Sequence, residues 1–273
     1  MTISLTQFRF RLVRFPEVVT LIGFWAIFIF FSIAADNFLT PVALSNILSF
    51  SSILGIIVVG VAMLMIAGEF DLSVGSIFAV TSFVFALSMN QGVPPLFALL
   101  LALLVSALLG AVNGLIVILS GIPSFIATLG TMLAYRGLAR AIGGGDLAKY
   151  IESKPLLFNI LNAALGPINS LSNPNANFRM SVFWWLLIVV VMVLVLRRMR
   201  FGNWVYATGG NPDAALAQGV PVKRVKLAAF VLVGLLAGIA SVVSFAQRTS
   251  VDPLRGAGWE LIPVAACVIG GVH

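Results

Sequence analysis

Long apolar runs dominate this chain, and they restrict its fold more than any other feature of the sequence. Several runs approach or exceed the roughly 20 residues that an α-helix needs to cross a bilayer. Because backbone polar groups find no water inside a bilayer, such runs must form helices that satisfy their own hydrogen bonds. Only 9% of the residues are charged, whereas a soluble domain carries about 25%. The sequence therefore predicts an all-α integral membrane protein, built as a polytopic helical bundle.

Eight of these runs are predicted to be helical spans, seven complete and one partial. They cover residues 18–35, 47–67, 72–90, 95–119, 124–141, 181–196, 227–246 and, as the partial span, 260–273. The first run is longer than the roughly 7–15 apolar residues of a signal peptide core, so we interpret it as a retained span. The chain then divides into an N-terminal segment, 1–17, and a transmembrane domain, 18–273. Pro155–Leu165 is apolar enough to predict a short helix on the membrane surface.

Lysine and arginine residues near the ends of the runs predict the orientation, because they collect on the cytoplasmic side. Arg9, Arg11 and Arg14 precede the first run and predict a cytoplasmic N-terminus. Six spans later a second cluster consists of Arg197, Arg198, Arg200, Lys223, Arg224 and Lys226. Six crossings return the chain to the side of its N-terminus, so both basic clusters indicate the same orientation. Segment 197–226 is therefore predicted to be cytoplasmic and loop 142–180 periplasmic. Seven basic residues oppose this orientation: Arg136, Arg140, Lys149, Lys154, Arg179, Arg248 and Arg255.

The sequence does not contain the residues or motifs that several kinds of chemistry require. The single cysteine, Cys267, lies in an apolar run, and the single histidine, His273, is the last residue, which argues against metal sites built from these ligands. No phosphate loop of the GxxxxGK kind occurs, and the common metalloprotease and serine-hydrolase motifs are missing too. The net charge of +7 reflects membrane topology and does not indicate nucleic-acid binding. We expect neither a metal nor a cofactor in this chain.

The polar segment Gly202–Lys226 contains a short helix with its own start and stop residues. Asn211 can cap the helix, Pro212 suits its first position, and Asp213 suits the positive end of its dipole. Gly219 suits a left-handed residue after its end. A helix of about two turns is marginal in water, so we interpret this one as a docking element for a partner. An ordinary capped loop helix without a partner is the alternative.

Small residues recur every four positions in two of the runs. The fourth run contains Ala98, Ala102, Ser106, Gly110 and Gly114, and the seventh contains Gly234 and Gly238. Such spacing lets membrane helices approach each other closely. We expect close helix packing at these stripes, with a moving gate at the same surface as the alternative.

Two carboxylates lie between the second and third runs, in the sequence GEFDLSVG at residues 68–75. Because charge at the centre of a span costs about 2.5–3.5 kcal/mol, Glu69 and Asp71 should have a role. One interpretation is a tight turn, in which Asp71 caps the third span and glycines allow close backbone approach. A proton or cation relay and a gate are the alternatives. The candidate residues are Gly68, Glu69, Asp71, Ser73 and Gly75.

Polar side chains in the fourth and fifth runs are candidates for lining a transport path. They are Asn113, Thr128, Thr131 and Arg136. Each of them also suits an interhelical hydrogen bond inside a bundle, so both interpretations stay open.

Five segments together resemble a known family of membrane proteins. They are GEFDLSVG at 68–75, NGLIV from Asn113, PSFIATLGT at 123–131, YRG from Tyr135 and GNWVYATGGNPDAALAQG at 202–219. Over nearly its whole length the chain resembles the membrane permeases of bacterial ABC importers, in particular the ribose-type sugar group related to the branched-chain amino-acid permeases. Phe70 departs slightly from the sugar group, in which this motif position is more often Ile or Val.

The resemblance implies a permease for a monosaccharide or similar small polar solute in the bacterial inner membrane. About ten spans in two inverted halves would follow from it. The implied partners are a second permease subunit, identical or different, a cytoplasmic ATPase that binds ATP and Mg, and a periplasmic binding protein. The residues implied to contact the ATPase are Asn211, Asp213, Ala214, Ala215, Leu216 and Gly219. The resemblance further implies that selectivity among solutes rests largely on the binding protein, so the sequence of this chain does not identify the sugar.

The resemblance also predicts further spans beyond His273, where this chain stops. We therefore expect a truncated permease, for which transport by the chain alone is in doubt.

Two other classes of membrane protein are open alternatives. An ion-coupled secondary transporter would use Glu69 and Asp71 as its ion site and would need no ATPase. A membrane enzyme would need a nucleophile and a base, and no such pair is recognisable in the sequence.

Overall fold

The computed structural model describes residues 16–272, and these residues are predominantly α-helical. In chain order the elements are α1 (Pro16–Ala34), α2 (Pro41–Ile66), α3 (Val74–Asn90), α4 (Pro95–Ser120), α5 (Ser124–Ile142), β1 (Ala148–Lys149), α6 (Leu156–Asn162), α7 (Gly166–Ser172), α8 (Met180–Arg198), α9 (Arg200–Gly210), α10 (Pro212–Ala217), α11 (Val222–Arg248), β2 (Ser250–Val251) and α12 (Ile262–Ile269). The predicted all-α class is confirmed. Arg9, Arg11 and Arg14, on which the cytoplasmic N-terminus was predicted, and His273 lie outside the described residues.

Every predicted span corresponds to a helix with similar bounds. The largest difference is at α2, which begins at Pro41 because the Thr40 hydroxyl accepts a hydrogen bond from the Ala43 N–H at 3.3 Å and caps the helix. By length and composition, four helices of the described part can cross a membrane: α2, α4, α8 and α11. Apolar stretches in α1 and α3 are shorter, and α5 carries Arg136 and Arg140. A helical membrane protein is therefore confirmed, whereas the exact number of crossings stays a prediction.

Helix α3 lies at the centre of the bundle. It is buried around its whole circumference, and Phe78, Phe83 and Phe85 are fully enclosed, as expected for a helix that is apolar on all faces. Helices α4, α5 and α11 pack directly against it. The segment that leads into α3 is consequently held from several sides.

The small-residue stripes of α4 and α11 face each other. All five small residues of the α4 stripe are buried. A side chain on Gly110 would overlap the carbonyl oxygen of Phe230, and a side chain on Gly234 would overlap the carbonyl oxygen of Ser106. The two backbones are thus in direct contact, so the close packing predicted from the spacing is observed.

The connection between α5 and α8 covers one end of the bundle. Phe158 of α6 packs against Phe85 and Phe245, and β1 pairs antiparallel with β2, which follows α11. Helix α6 (Leu156–Asn162) lies within the segment 155–165 predicted to be helical, and its position on the membrane surface stays a prediction. Helix α7 was not predicted. The strand pair was not predicted either, because β1 is stabilised by a partner strand that is distant in sequence.

Helices α3 and α12 both begin after non-helical segments that enter the bundle. These segments, 67–73 and 252–261, come from opposite ends of the bundle. Gly75 in the first turn of α3 meets Gly256 of the second segment, where a side chain on either glycine would overlap the carbonyl oxygen of the other. Helix α12 then packs along α2. The start of α3 and the segment before α12 therefore meet inside the bundle.

Candidate functional site

The motif at residues 68–75 lies next to α9, the helix that immediately precedes α10. Gly68 has a φ of +82°, a left-handed conformation that glycine adopts without strain. It lies against Gly209, where an added side chain would overlap the carbonyl oxygen of Ile66. Since α10 begins at Pro212, the motif and α10 share one end of the bundle. We call it the α10 end.

Glu69 forms an ion pair with Lys226 at the α10 end. The Lys226 ammonium donates to Glu69 Oε1, and Glu69 is only 7% exposed. Lys226 lies in the first turns of α11, directly after the loop that follows α10. The ion pair therefore joins the 68–75 motif to α11, the helix that follows α10.

Asp71 is fully buried, and both of its carboxylate oxygens accept hydrogen bonds. Oδ1 accepts from the backbone N–H and the hydroxyl of Ser73, each at 2.7 Å. Oδ2 accepts from Asn113 Nδ2 at 3.0 Å. Asn113 also donates to Ser73 Oγ at 2.7 Å, and its Oδ1 accepts from the Tyr135 hydroxyl at 3.0 Å. These four side chains join the motif to α4 and α5 in one buried network.

The prediction that Asp71 caps the third span is wrong, because Ser73 is the N-cap residue of α3. Asp71 instead accepts the N–H two residues on, the local hydrogen bond by which aspartate holds a turn. The two carboxylates also serve different partners, Lys226 and Asn113. They do not form an acid–base pair.

Two hydroxyl groups of α5 hold the backbone of the same motif. Ser124 Oγ accepts from the Phe70 N–H at 2.9 Å, and Thr128 Oγ1 accepts from the Leu72 N–H at 3.1 Å. The Thr131 hydroxyl donates to the Thr128 carbonyl of its own helix at 3.2 Å. Asn113 thus makes an interhelical hydrogen bond with Tyr135, which was one of the two interpretations, whereas Thr128 binds the non-helical segment before α3. Their lining of a transport path stays a prediction.

Replacing Asn113 by leucine is expected to lower the Tm of the purified protein by about 4–12 °C. The substitution removes the Asn113 hydrogen bonds to a buried carboxylate and two hydroxyls, at a cost of about 2–3 kcal/mol, and each kcal/mol shifts Tm by roughly 2–4 °C at this chain length. Asn46 of α2 is exposed, so Asn46→Leu is the matched control and should change Tm by less than about 2 °C. Equal Tm values for both variants would contradict a stabilising role of the network.

Helix α10 has the start and stop residues predicted for it. Asn211 Oδ1 accepts from the Ala214 N–H at 3.0 Å, and Pro212 is the first helical residue. Gly219 follows the helix with a φ of +82°. Local sequence signals therefore account for the position and length of this helix.

The two faces of α10 have different surroundings. Ala215 is 5% exposed and packs into the main apolar core, whereas Leu216 is 64% exposed. Asp213 and Ala214 are also exposed. Ala215, predicted to contact an ATPase, is covered by the chain itself, because so short a helix is held in place by one buried face. The other residues expected to contact the ATPase are exposed and open to a partner: Asn211, Asp213, Ala214, Leu216 and Gly219.

At the opposite end of the bundle, Arg136 of α5 holds the non-helical segment before α12. Its Nη1 donates to the carbonyl oxygens of Pro253 at 3.3 Å and Arg255 at 2.9 Å, and its Nη2 donates to Glu260 Oε1 at 3.4 Å. Burial lowers the pKa of the Arg255 guanidinium, repulsion from Arg248 lowers it further, and Asp252 acts against both. This end therefore gathers several charges around one turn-rich segment.

The sequence did not identify several residues that contact the 68–75 motif or Arg136. Ser124 and Tyr135 were noted only within motifs, Lys226 was noted only as a topology signal, and Glu260 was not considered at all. Their partners are distant in sequence, so no local spacing identifies them. Acidic residues are scarce in this sequence, and a carboxylate beside an apolar run needs a partner. Glu260 could therefore have been predicted to make a polar or charged contact.

Comparison with known proteins places these features in context. The family model described as branched-chain amino acid transport system / permease component matches residues 43–273. Ribose import permease protein RbsC of Escherichia coli strain K12 is 33% identical over 261 residues, which cover 93% of this chain and 77% of the relative. D-allose transport system permease protein AlsC of the same strain is 33% identical over 244 residues, 89% of this chain and 71% of the relative.

A further relative has a different named solute. Autoinducer 2 import system permease protein LsrC of Yersinia enterocolitica is 33% identical over 258 residues, which cover 94% of this chain and 68% of the relative. No solved structure gives a significant match to the chain.

Proposed function

The chain belongs to the family of permease components of branched-chain amino acid transport systems, and we propose that it is the membrane-spanning permease subunit of an ATP-driven importer for a monosaccharide or a similar small polar solute. It is a transporter subunit of a bacterial inner membrane and not an enzyme. The observation that carries the proposal is the match over most of the chain to relatives named as permeases for ribose, allose and autoinducer 2.

Helix α10 is the proposed contact with the ATPase that supplies the energy. It is capped, anchored by Ala215, and presents Leu216 outward at 64% exposure. The ion pair between Glu69 and Lys226 links the start of α11 to the motif that leads into the central helix α3. A displacement of α10 would thus reach the middle of the bundle through direct contacts. ATP and Mg are bound by the ATPase in this proposal.

The α10 end is the proposed cytoplasmic end, and the loop between α5 and α8 is periplasmic. The basic residues around α10 support this orientation. Gly75, in the first turn of α3, packs against Gly256 of the non-helical segment before α12, and the two approach from opposite ends of the bundle. Transporters built from inverted repeats bring non-helical backbone from their two halves together near the middle of the membrane, so this contact supports that architecture here. A second permease subunit and a periplasmic binding protein complete the importer.

An ion-coupled transporter that uses Glu69 and Asp71 is not supported by the geometry of either carboxylate. Glu69 is paired with Lys226, and Asp71 is fully buried with both oxygens accepting hydrogen bonds. A relay needs groups that a mobile proton or cation can reach. We therefore assign these carboxylates to holding the segment before α3.

Crosslinking in native membranes, followed by purification of the tagged chain and mass spectrometry, tests the proposal. We expect recovery of a subunit that contains a phosphate loop and is crosslinked through Lys223 or Lys226. Proteoliposomes of the recovered complex with its binding protein should then take up D-ribose or D-allose only with ATP, and a protonophore should not reduce uptake. Uptake that follows an ion gradient without ATP would overturn the proposal.

A further inference from the structure

A small pocket opens at the end of the bundle opposite to α10. It lies between α2, the end of α11 and the segment 252–261, and has a volume of about 290 Å³. Its chemically distinctive residues are Phe50, Ser244, Arg248, Asp252, Arg255 and Trp259. Aromatic, cationic, anionic and hydroxyl groups therefore converge on one cavity.

The wall of this pocket is held in place from behind. Arg136 binds the carbonyl oxygens of Pro253 and Arg255, and Gly256 packs against the backbone of Gly75. The Arg255 guanidinium donates to Asp252 at 3.4 Å and to the Ser250 carbonyl at 3.1 Å. The pocket is thus built on a fixed segment, which is how binding sites keep their polar groups in position.

The aromatic side of the pocket offers a flat apolar surface. Trp259 packs on Phe78 with a ring-centroid distance of 5.0 Å and meets Phe50 edge-on at 6.0 Å. Trp259 is only partly buried, so part of the indole faces the cavity. Indole faces are electron-rich, and the C–H groups of a sugar ring, which carry slight positive charge, pack well on such a surface.

The polar side of the pocket offers both donors and an acceptor. Arg248 and Arg255 supply guanidinium donors and Asp252 supplies carboxylate oxygens, which together match hydroxyl groups that donate and accept. Arg255 already donates to Asp252, so Arg248 is the main donor that the pocket offers to the oxygen lone pairs of a solute. The Asp252 side chain is 43% exposed, which leaves it accessible to a solute.

Size narrows the class of ligand. A volume of about 290 Å³ lies at the lower limit of the roughly 300–1,000 Å³ usual for small-molecule pockets. A single sugar ring fits within such a volume, whereas a disaccharide would extend out of it. By contrast, the cavity between α4 and α8 is lined by apolar side chains such as Leu103, Leu187 and Val191 and offers a sugar no polar partners.

We propose that this pocket binds a hydroxyl-rich monosaccharide at the outer mouth of the transport path, with the ring on Trp259 and its hydroxyls on Arg248 and Asp252. This assignment rests on the proposed function, because it makes the pocket the first contact with solute released by the binding protein. Affinity at such a site is low, since a transport site must also release its solute. Arg136 acts as a positioning residue.

Saturation-transfer-difference NMR on the whole chain in nanodiscs tests the assignment, because this measurement detects weak binding. The probe is D-ribose, with maltose as the oversized sugar and L-leucine as the non-sugar solute. We expect signal on the ribose ring protons and at least five-fold less on maltose and leucine. Trp259→Leu and Arg248→Gln should each reduce the ribose signal at least five-fold. The controls Trp25→Leu and Arg140→Gln, at exposed positions outside the pocket, should retain it within two-fold.

The two variants keep the test decisive if one of them folds poorly. Trp259 also packs on Phe78, whereas Arg248 is exposed, so Arg248→Gln should keep the wild-type elution profile on gel filtration. An unchanged ribose signal in a folded Arg248→Gln or Trp259→Leu variant would overturn the assignment. ATP-driven ribose uptake by the complete importer, unaffected by both substitutions, would overturn it while leaving the proposed function intact. Loss of ATP dependence in the wild type would instead overturn the proposed function.

Discussion

Replacing Leu216 by glutamate is expected to reduce ATP-driven uptake and recovery of the ATPase at least ten-fold, with no loss of the chain from the membrane. Leu216 is 64% exposed on α10, so the substitution disturbs no packing within the chain. A buried apolar anchor in an interface is typically worth about 2 kcal/mol or more, and each 1.4 kcal/mol corresponds to roughly a factor of ten in affinity. Co-purification of the ATPase with the tagged chain, together with uptake in proteoliposomes, measures the effect.

Leu171→Glu provides the matched control for this substitution. Leu171 is 88% exposed on α7, another short helix, which lies in the loop at the opposite end of the bundle. Recovery of the ATPase should stay within two-fold of wild type in this variant. If Leu216→Glu co-purified with the ATPase as well as Leu171→Glu does, α10 would be a capped loop helix without a partner.

Replacing Gly110 by alanine is expected to lower Tm by about 6–12 °C. The new methyl group would overlap the carbonyl oxygen of Phe230, and a backbone atom cannot move aside as the end of a side chain can. Overpacking costs about 1–3 kcal/mol and occasionally more. A value near 3 kcal/mol, at roughly 2–4 °C per kcal/mol, gives the expected shift. Thermal unfolding in detergent, followed by the loss of soluble monomer, measures it.

Gly130 of α5 is the matched control, because an added methyl group there has nothing within 4 Å. Alanine stabilises a helix interior by about 1 kcal/mol relative to glycine, so Gly130→Ala should leave Tm unchanged or raise it slightly. The two substitutions are chemically identical, and opposite signs are expected. A similar fall in both variants would mean that loss of glycine, and not contact between α4 and α11, explains the effect.

The helices of this protein were predictable because their signals are local. The apolar runs indicate α2, α4, α8 and α11 by length alone, since a bilayer demands a minimum span. Asn211, Pro212 and Gly219 indicate α10, since capping acts within one turn. The stripes on α4 and α11 predicted close packing, and the structure adds that each stripe packs on the other.

The candidate sites were predictable only in part. The 68–75 motif was recognised, and Glu69 and Asp71 were singled out because charge near a membrane is costly. Their partners were not predicted, because Lys226 and Asn113 are far away along the chain. The sequence did not predict the pocket around Trp259, since aromatic and charged residues at the end of an apolar run are also typical of a membrane interface. The burial of Ala215 was likewise not predictable, because the sequence of so short a helix does not show which face packs against the core.

The amino-acid sequence by itself determined the class of the protein, the positions of its helices and its family, because apolar length, caps and motif residues act over short distances along the chain. Tertiary structure alone decided which polar groups meet. It paired Glu69 with Lys226, enclosed Asp71 with Asn113, and brought Arg248 and Trp259 to one pocket. These contacts depend on how helices cross and where their non-helical connections enter the bundle. That arrangement is set by backbone approach at glycines such as Gly110 and Gly256, and no local pattern specifies which segments these glycines pack against.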